Sequence, residues 1–538
     1  MSIKSELATI IKDAINKMGI DKEIIIDVPK SDKNGDYSCN VALTLSHELK
    51  KAPMDIAKEI VNNTNSDIIE NIEVVNPGFI NIFINKKRLL SQIDKIIASD
   101  RNYGKNKTGN GKKINVEYVS ANPTGILHVG HGRGATYGDS LTRILSFSGY
   151  DVVREYYIND AGNQINNLAI SIFERYKEIC GEKGEIPEDG YHGKEIISIA
   201  QGIYDTYGKN KLKEKINFFK NEGLRVLINQ IKKDLDRYRV NFDVFTSEQS
   251  LYDTGLVDTT LNNLKNSGNC FINDDALWLS TSKYGDEKDR VLIKSDGNYT
   301  YLLPDIAYHI NKLDRGFDEL IDVLGSDHHG YINRLKASLE ILGKDKNKLF
   351  IKILQMVRLI KGNEEIKLSK RTGKTITLME LVDEVGLNAT RYFFVSKSLD
   401  TPLDFDLDLA VKQSNENPVY YIEYANARIT SILNNYKNNI DNKSTEFKTF
   451  NNNYIYSIIK KMSEFEDVVI SAADKRMPHL IANYVYELAS MFHTFYSMEK
   501  IITDDDEYTL ERIKLLKAIK IVINNALDLL GIIPREEM

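Results

Sequence analysis

Two short segments, far apart in the chain, carry side chains suited to chemistry on a phosphate. The first is His128-Val129-Gly130-His131, and the second is Lys367-Leu368-Ser369-Lys370-Arg371. Two imidazoles and a group of cationic side chains can neutralise a phosphoryl group under attack, as the activation of a carboxylate by ATP requires. Together the segments predict a nucleotide-phosphate site assembled from distant parts of the chain.

The histidine segment lies where a strand passes into a helix. Residues 117–134 read EYVSANPTGILHVGHGRG, which predicts a strand, an Asn-Pro turn and a helix that begins near Leu127. Helix N-terminal amides bind phosphate at such junctions, and Gly130 lets a nucleotide approach the backbone. His128 and His131 are three residues apart, so both imidazoles are expected on one helical face. The arrangement favours a binding role over two structural histidines.

A competing motif overlaps this segment. Residues 130–135 fit the pattern G-x-G-x-x-A, and Glu155 lies about where a ribose-binding acid is expected. This is the alternative hypothesis, a dinucleotide-binding oxidoreductase. The glycines, however, fall inside the predicted helix rather than at its opening turn, which argues against it.

The lysine segment belongs to the basic stretch KLSKRTGKT at residues 367–375. Positive charge, serine and glycine suit a mobile loop that closes over a triphosphate. Its last eight residues nearly match a P-loop, but Leu368 stands where the first glycine is required. A Walker-type kinase is therefore not expected, and this stretch alone could be a basic surface loop.

The elements around these segments predict an α/β fold class with three domains. Strand-like and helical runs alternate after Ile114, which is typical of a parallel sheet with crossover helices. Strand signals resume later in the chain, as listed here: 276–279, 290–294, 299–302, 320–324 and 349–359. We predict an N-terminal α+β domain at 1–110, a Rossmann-like catalytic domain at 111–410 with a helical insertion around 192–240, and an all-helical bundle at 411–538. The bundle helices are expected at 419–433, 454–470, 480–499 and 510–530.

Composition narrows the class of protein. The 538 residues are 42% hydrophobic and 28% charged, close to globular averages, and no apolar run is long enough for a membrane helix. The three cysteines form no Cys-x-x-Cys pair, so no zinc site or disulfide framework is expected. A net charge of -6 neither supports nor excludes an RNA partner. We expect a cytoplasmic enzyme.

The two segments together resemble the HIGH and KMSKS signatures of class I aminoacyl-tRNA synthetases. His128-Val129-Gly130-His131 matches the first, and Lys367 to Arg371 matches the second, with Leu368 and Arg371 as departures. Four further segments resemble the arginyl-tRNA synthetase family: ANPTGILHVGHGRG, GSDHHGY at 325–331, NPVYYIEYANARI at 417–429 and the C-terminal LDLLGIIP. The resemblance spans nearly the whole chain in the family's order.

This resemblance implies roles for individual residues. The implied catalytic residues are His128, His131, Lys367 and Lys370. The implied ATP-binding residues are His128, Gly130, His131, Asp327, His328 and Lys370. The implied arginine-binding residues are Glu117, Ser120, Asn122, His131, Tyr301, Asp305 and His329. The implied tRNA-binding residues are Tyr420, Tyr421, Tyr424 and Arg428, whose rings could also be core residues.

The resemblance also implies a reaction and its partners. Arginine and ATP would form an adenylate and pyrophosphate, and a ribose hydroxyl of the terminal tRNA adenosine would then take the arginine. ATP is expected as a substrate with Mg²⁺, without a protein-bound metal, and the adenylate step is expected to need tRNA. We expect a monomer with arginine tRNA as its partner and no membrane contact. A non-catalytic RNA-binding protein is a further hypothesis, against which the intact histidine and lysine segments argue.

Overall fold

The computed structural model describes residues 2–29, 31–326, 330–362, 364–366, 376–436, 446–450 and 452–538. Its N-terminal part combines helices with an antiparallel sheet of order β1-β2-β4-β3. The elements are α1 (Ile3–Asn16), β1 (Ile26–Asp27), β2 (Tyr37–Cys39), α2 (Val41–Leu49), α3 (Pro53–Asn62), β3 (Ile69–Val75), β4 (Phe79–Ile84) and α4 (Lys86–Ser99). Ile80 and Ile82 of β4 are fully buried in one core with Leu7 of α1 and Ile56 of α3. This is the predicted α+β architecture.

The central part contains a parallel sheet of order β12-β11-β5-β6-β7. Its elements are β5 (Lys113–Glu117), α5 (Val129–Phe147), β6 (Asp151–Ile158), α6 (Asn163–Ile179), α7 (Lys194–Tyr207), α8 (Ile216–Arg237), β7 (Val244–Ser247), α9 (Glu248–Asp253), α10 (Leu256–Asn266), β8 (Cys270–Asn273), β9 (Ala276–Leu279), β10 (Arg290–Ile293), α11 (Leu302–Asp314), β11 (Glu319–Gly325), α12 (Tyr331–Ile341) and β12 (Leu349–Leu354). Parallel strands place their carboxyl ends at one sheet edge, where ligands bind in open α/β folds. The predicted Rossmann-like fold class is confirmed.

Several strand predictions in this part were wrong in detail. β8, β9 and β10 form a separate antiparallel sheet instead of continuing the parallel one. The predicted strand 299–302 is reduced to a bridge at Tyr299, and α11 begins at Leu302. Its two tyrosines and one threonine favour a strand, but Pro304 and Asp305 suit the first turn of a helix.

The predicted strand 349–359 is divided between two sheets. After β12 the chain leaves the parallel sheet at Gln355 and enters β13 (Val357–Lys361), which pairs with β14 (Glu364–Ile366) and with β15 (Leu403–Asp406). The backbone N–H of Gln355 donates to the carbonyl of Leu399, a tertiary bond that an apolar run does not reveal. Between β14 and β15 lie α13 (Leu378–Val385) and α14 (Leu387–Val395), and α15 (Leu407–Val411) follows.

The C-terminal part is helical, as predicted. Its elements are α16 (Pro418–Asn435), α17 (Asn453–Ser463), α18 (Phe465–Asp474), α19 (His479–Met498) and α20 (Asp506–Leu529). The single helix expected at 454–470 is interrupted at Glu464, next to Ser463, whose hydroxyl donates to the Lys460 carbonyl. In the described part of the chain, no helix combines the length and apolar character needed to cross a membrane.

Candidate active site

The loop after β5 carries strained backbone at the ligand edge of the sheet. Val119 and Ser120 have φ of 70° and 38°, a region that a β-branched residue such as valine rarely adopts. Side-chain bonds hold this turn, because the Ser120 hydroxyl donates to Oε1 of Glu117 at 2.9 Å and accepts the Tyr157 N–H at 3.1 Å. The turn therefore fixes Glu117, at the end of β5, toward neighbouring β6.

His128 and His131 form a stacked pair at the start of α5. Their ring centroids are 3.7 Å apart, and His128 is the N-cap of the helix. Nδ1 of His128 accepts the Gly130 N–H at 3.1 Å, and Nδ1 of His131 accepts the His128 N–H at 3.2 Å. A neutral imidazole that accepts at Nδ1 carries its proton on Nε2. Both rings can therefore present an Nε2–H donor to an anion at the helix N-terminus.

The lysine segment lies outside the described residues, but the residues that follow it are attached to the histidine segment. Thr377 forms an antiparallel bridge with His128, and the Leu378 N–H donates to the Leu127 carbonyl at 2.8 Å. The chain that follows the lysine segment therefore lies against the histidine segment.

Arg133 of α5 ties the histidine helix to the sheet that precedes the lysine segment. Its buried guanidinium donates to the carbonyls of Gln355 at 3.0 Å, Ser398 at 2.9 Å and Thr401 at 2.8 Å. Burial lowers its pKa to about 10, against the opposing influence of Asp400. These bonds fix the ends of β12 and the approach to β15 relative to α5.

The charges of three carboxylates act on Tyr157 near the end of β6. We call Glu117, Glu248, Asp305 and Tyr157 the acidic pocket. Burial, followed by the negative charges of Glu248, Asp305 and Glu117, raises the pKa of the Tyr157 hydroxyl. Burial and the charge of Asp305 also raise the pKa of the Tyr331 hydroxyl. Such a pocket favours a cationic ligand.

Glu248 is the member of the acidic pocket that the sequence did not identify. It is 4% exposed, and burial, followed by the charge of Asp305, raises its pKa to about 7 despite hydrogen bonds from Tyr157 and Tyr252. Within the part of the chain that the structure describes, no lysine or arginine forms an ion pair with it. The signal was present, since Glu248 directly follows a strand of the sheet, but Ser247-Glu248 also looks like an ordinary helix start.

Two other residues predicted to bind arginine, Asn122 and Tyr301, are exposed to solvent. Asn122 is exposed and donates to Oε1 of Gln164 at 2.9 Å. Tyr301, which precedes α11, is 63% exposed, so the structure does not include it in the buried acidic pocket. Asp327, His328 and His329 lie outside the described residues.

The buried environment of Glu155 argues against the dinucleotide hypothesis. Its carboxylate accepts from Asn115 at 2.6 Å, Thr246 at 2.5 Å, Tyr308 at 3.1 Å and Arg315 at 2.6 Å, and it has no exposed surface. It is therefore occupied by the protein and cannot receive a ribose hydroxyl. Gly132 and Gly134 lie within α5, away from the opening turn that the fingerprint requires.

The predicted tRNA-binding residues form a partly exposed aromatic face on α16. The rings of Tyr420 and Tyr424 stack with centroids 6.1 Å apart, and Tyr421 lies 4.2 Å from His493. The Arg428 guanidinium lies 5.0 Å from the Tyr424 ring and 4.2 Å from the ring of Tyr496 on α19. Planar groups of this kind offer stacking surfaces to bases.

Comparisons with known proteins cover all three parts of the chain. Family models match residues 5–84 (arginyl tRNA synthetase N terminal domain), 92–397 (tRNA synthetases class I (R), catalytic domain) and 422–538 (DALR anticodon binding domain). The arginine–tRNA ligase of Bacillus subtilis (strain 168) is 47% identical over 550 residues, with coverage of 100% of this chain and 99% of the relative. Arginine–tRNA ligase 1 of Halalkalibacterium halodurans is 48% identical, with coverage of 96% of this chain and 94% of the relative.

The fold agrees with these sequence matches. The structure of Thermus thermophilus arginyl-tRNA synthetase superposes with a TM-score of 0.76 over 100% of both chains at 21% identity. The class I catalytic match spans β5, the histidine pair and the acidic pocket, and the relatives match from end to end. The chain therefore belongs to the arginyl-tRNA synthetases, within class I of the aminoacyl-tRNA synthetases.

Proposed function

We propose that the acidic pocket is the arginine site of this arginine–tRNA ligase. A guanidinium is a planar fork of donors that pairs best with carboxylates, so Asp305 and Glu248 would bind the side chain. Glu117 would bind the α-ammonium group of arginine, and the Ser120 hydroxyl would hold the Glu117 carboxylate in place. Asn122 would also help to bind the amino acid. The observation that carries this proposal is Glu248, whose pKa is raised to about 7 beside Asp305 in a buried setting. A substrate cation would relieve this repulsion.

The histidine pair would act on the phosphates of ATP. The arginine carboxylate attacks the α-phosphorus, the bond to the pyrophosphate oxygen breaks, and arginyl-adenylate forms. The Nε2–H groups of His128 and His131 would stabilise negative charge on the phosphoryl oxygens, and Gly130 would leave space for the nucleotide. Lys367 and Lys370 would stabilise the departing pyrophosphate, and Asp327, His328 and His329 would contact the substrates.

Mg²⁺ would accompany ATP, bound through the phosphates. Among the described residues, no group of His, Cys, Asp and Glu side chains is arranged to hold a metal ion, so we derive no step through a protein-bound metal. In the second step, a ribose hydroxyl of the terminal tRNA adenosine attacks the adenylate carbonyl and AMP leaves. The protein needs no covalent nucleophile in either step.

The flanking domains would bind tRNA. Residues 1–110 would contact the tRNA elbow, and residues 411–538 would contact the anticodon through the aromatic face of Tyr420, Tyr421, Tyr424 and Arg428. Substitution Tyr424→Ala should raise KM for tRNA while KM for arginine and ATP stays unchanged. We further propose that the protein acts as a cytoplasmic monomer, for which light scattering should give the mass of one chain.

An ATP–pyrophosphate exchange assay tests the arginine site. The assay uses each amino acid in turn, with and without tRNA, and we expect exchange only with arginine and only when tRNA is present. Substitution Glu248→Gln should raise KM for arginine and reduce the preference for arginine over its neutral isostere citrulline. Glu185→Gln, at an exposed site, is the matched control. An unchanged preference in Glu248→Gln would contradict the proposed site.

A further inference from the structure

A lysine is buried directly beside the acidic pocket. Lys312 of α11 has no exposed surface, and its ammonium group donates to Oε2 of Glu117 at 2.5 Å and to Oδ1 of Asp322 on β11 at 2.9 Å. It also lies 4.3 Å from the centre of the Tyr308 ring. Burying an ammonium group is unfavourable unless it is paired and hydrogen-bonded, and here two carboxylates provide the pairing.

His309 supplies the second positive charge of this cluster. Its Nε2 lies 2.7 Å from Oδ2 of Asp322, and its Nδ1 lies 2.7 Å from the backbone carbonyl oxygen of Asp305. A carboxylate and a carbonyl only accept hydrogen bonds, so both ring nitrogens donate and the ring is an imidazolium. Burial lowers the pKa of His309, but the charge of Asp322 and the hydrogen bonds to Asp322 and to the Asp305 carbonyl together raise it. The positive charge of His309 thus balances the negative charge of Asp322, and that of Lys312 balances the negative charge of Glu117.

We propose that Lys312 is a positioning residue for arginine activation, which holds the Glu117 carboxylate in the orientation that receives the α-ammonium group. Lys312 holds Oε2, while the Ser120 hydroxyl holds Oε1 from the strained turn. The carboxylate is therefore fixed at both oxygens before substrate arrives, and Oε1 keeps a second lone pair for the ligand. Because the cluster of Glu117, Asp322, Lys312 and His309 is neutral overall, arginine binds to an oriented group instead of an uncompensated charge. This inference rests on the proposed role of Glu117.

A purely structural role for Lys312 makes a different prediction. If Lys312 only neutralises buried charge, then arginine binding should follow folding stability in every variant. If Lys312 orients Glu117, then KM for arginine should depend on the bond between them even where stability is restored. The chain offers a control, since Asp322 is the other partner of Lys312. Asp322 pairs with Glu117 across β11 and β5, but no side-chain hydrogen bond joins the two carboxylates among the described contacts.

The experiment compares the parent protein with three variants of the full chain by thermal unfolding and by ATP–pyrophosphate exchange with tRNA present. Lys312→Met should raise KM for arginine about tenfold or more, the loss expected for a charged hydrogen bond, and lower the unfolding temperature. Asp322→Asn should lower the unfolding temperature but change KM for arginine less than about threefold, because Lys312 keeps its bond to Glu117. The double variant Lys312→Met/Asp322→Asn should recover stability, since His309 can donate to the new amide oxygen, but should keep the raised KM. KM for ATP should stay constant throughout.

Recovery of KM for arginine together with stability in the double variant would overturn the inference, as would an equal rise in KM in Asp322→Asn. Lys312→Arg, which keeps a charged donor, should return part of the arginine affinity if Lys312→Met does not fold. Glu117→Gln separates the two proposals. If it raises KM for arginine while the double variant does not, only the role of Lys312 fails; if it leaves KM unchanged, the proposed role of Glu117 fails and the inference fails with it.

Discussion

The imidazole rings of His128 and His131 stack with centroids 3.7 Å apart, and the ring of His131 accepts the backbone N–H of His128 at 3.2 Å. One ring is thus both a cap for the helix and a support for the other ring. Because both Nδ1 atoms accept backbone N–H groups, the Nε2–H groups are the donors that can reach a phosphate. The same contacts that begin the helix therefore orient the donors.

Substitution at His131 can separate these two roles. His131→Ala removes an Nε2–H donor and the cap bond, and we expect kcat for pyrophosphate exchange to fall about 100-fold or more, with a stability loss of about 1 kcal/mol. His131→Glu restores an acceptor for the His128 N–H, as in a capping box, but places an anion where the phosphate binds. Its stability should recover in urea unfolding while its activity stays low. Activity that recovers together with stability would assign His131 to the helix cap alone.

The raised pKa of Glu248 predicts a pH dependence of arginine binding. Glu248 must be ionised to pair with a guanidinium, and its pKa in the free protein is about 7. Arginine affinity should therefore be constant above pH 7 and fall by about tenfold per pH unit below it. Calorimetry in buffers of different ionisation enthalpy should detect proton release on arginine binding near pH 6.5 and almost none at pH 8. Glu248→Gln is the control, and it should show no release at either pH.

The same carboxylate should make the free protein less stable at neutral pH. A carboxyl group whose pKa is raised on folding binds its proton more tightly in the folded state, so stability falls as pH rises from its ordinary range to about 7 and is then constant. Glu248→Gln should therefore unfold at a higher temperature than the parent protein at pH 8, by an amount that corresponds to roughly 1–3 kcal/mol. This advantage should nearly vanish at pH 4.5. An advantage of equal size at both values would show that the charge is not its cause.

The structural features that the sequence predicts correctly are those that depend on neighbouring residues. The strand, turn and helix around His128 are encoded within a short segment, and the predicted helix near Leu127 begins at Val129. The helical bundle is equally local, because it depends on periodicity. Glu248 was missed because its local sequence also fits an ordinary helix start, and its environment depends on β7 lying beside β6 and on Asp305 from a distant helix. The division of residues 349–359 between two sheets likewise depends on a distant residue. Arg133 donates to the Gln355 carbonyl, a contact that the apolar pattern of the segment does not reveal.

Arg133 should matter for activity through the sheet it holds. Arg133→Met leaves the carbonyls of Gln355, Ser398 and Thr401 without their donor, and we expect a stability loss of about 2–4 kcal/mol. Because β13 and β14 precede the lysine segment, kcat for pyrophosphate exchange should fall about 10-fold or more. KM for arginine should not change, since the acidic pocket is built from other elements. Arg133→Lys keeps one cationic donor, so it should lose less stability and less kcat than Arg133→Met. A rise in KM for arginine parallel to the loss in kcat would contradict this role of Arg133.

Arg391 joins the catalytic fold to the C-terminal helices, and its substitution should lower the free energy of unfolding. Its buried guanidinium donates to Asp139 of α5 at 2.5 Å and to the carbonyls of Leu530 and Tyr238 at 3.0 Å each. Arg391→Met leaves Asp139 with Arg143 alone, at 2.8 Å, and we expect a loss of about 3–5 kcal/mol, the range for breaking a buried ion pair.

Replacing both partners tests whether charge is the cause. Arg391→Met/Asp139→Asn also removes the buried carboxylate that has lost one of its two arginine partners, so its unfolding temperature should lie between those of the single variant and the parent protein. If the double variant is no more stable than Arg391→Met, the carbonyl bonds to Leu530 and Tyr238 carry the stability instead of the ion pair. In that case KM for tRNA should rise in both variants, because the end of α20 would no longer be held against the catalytic fold.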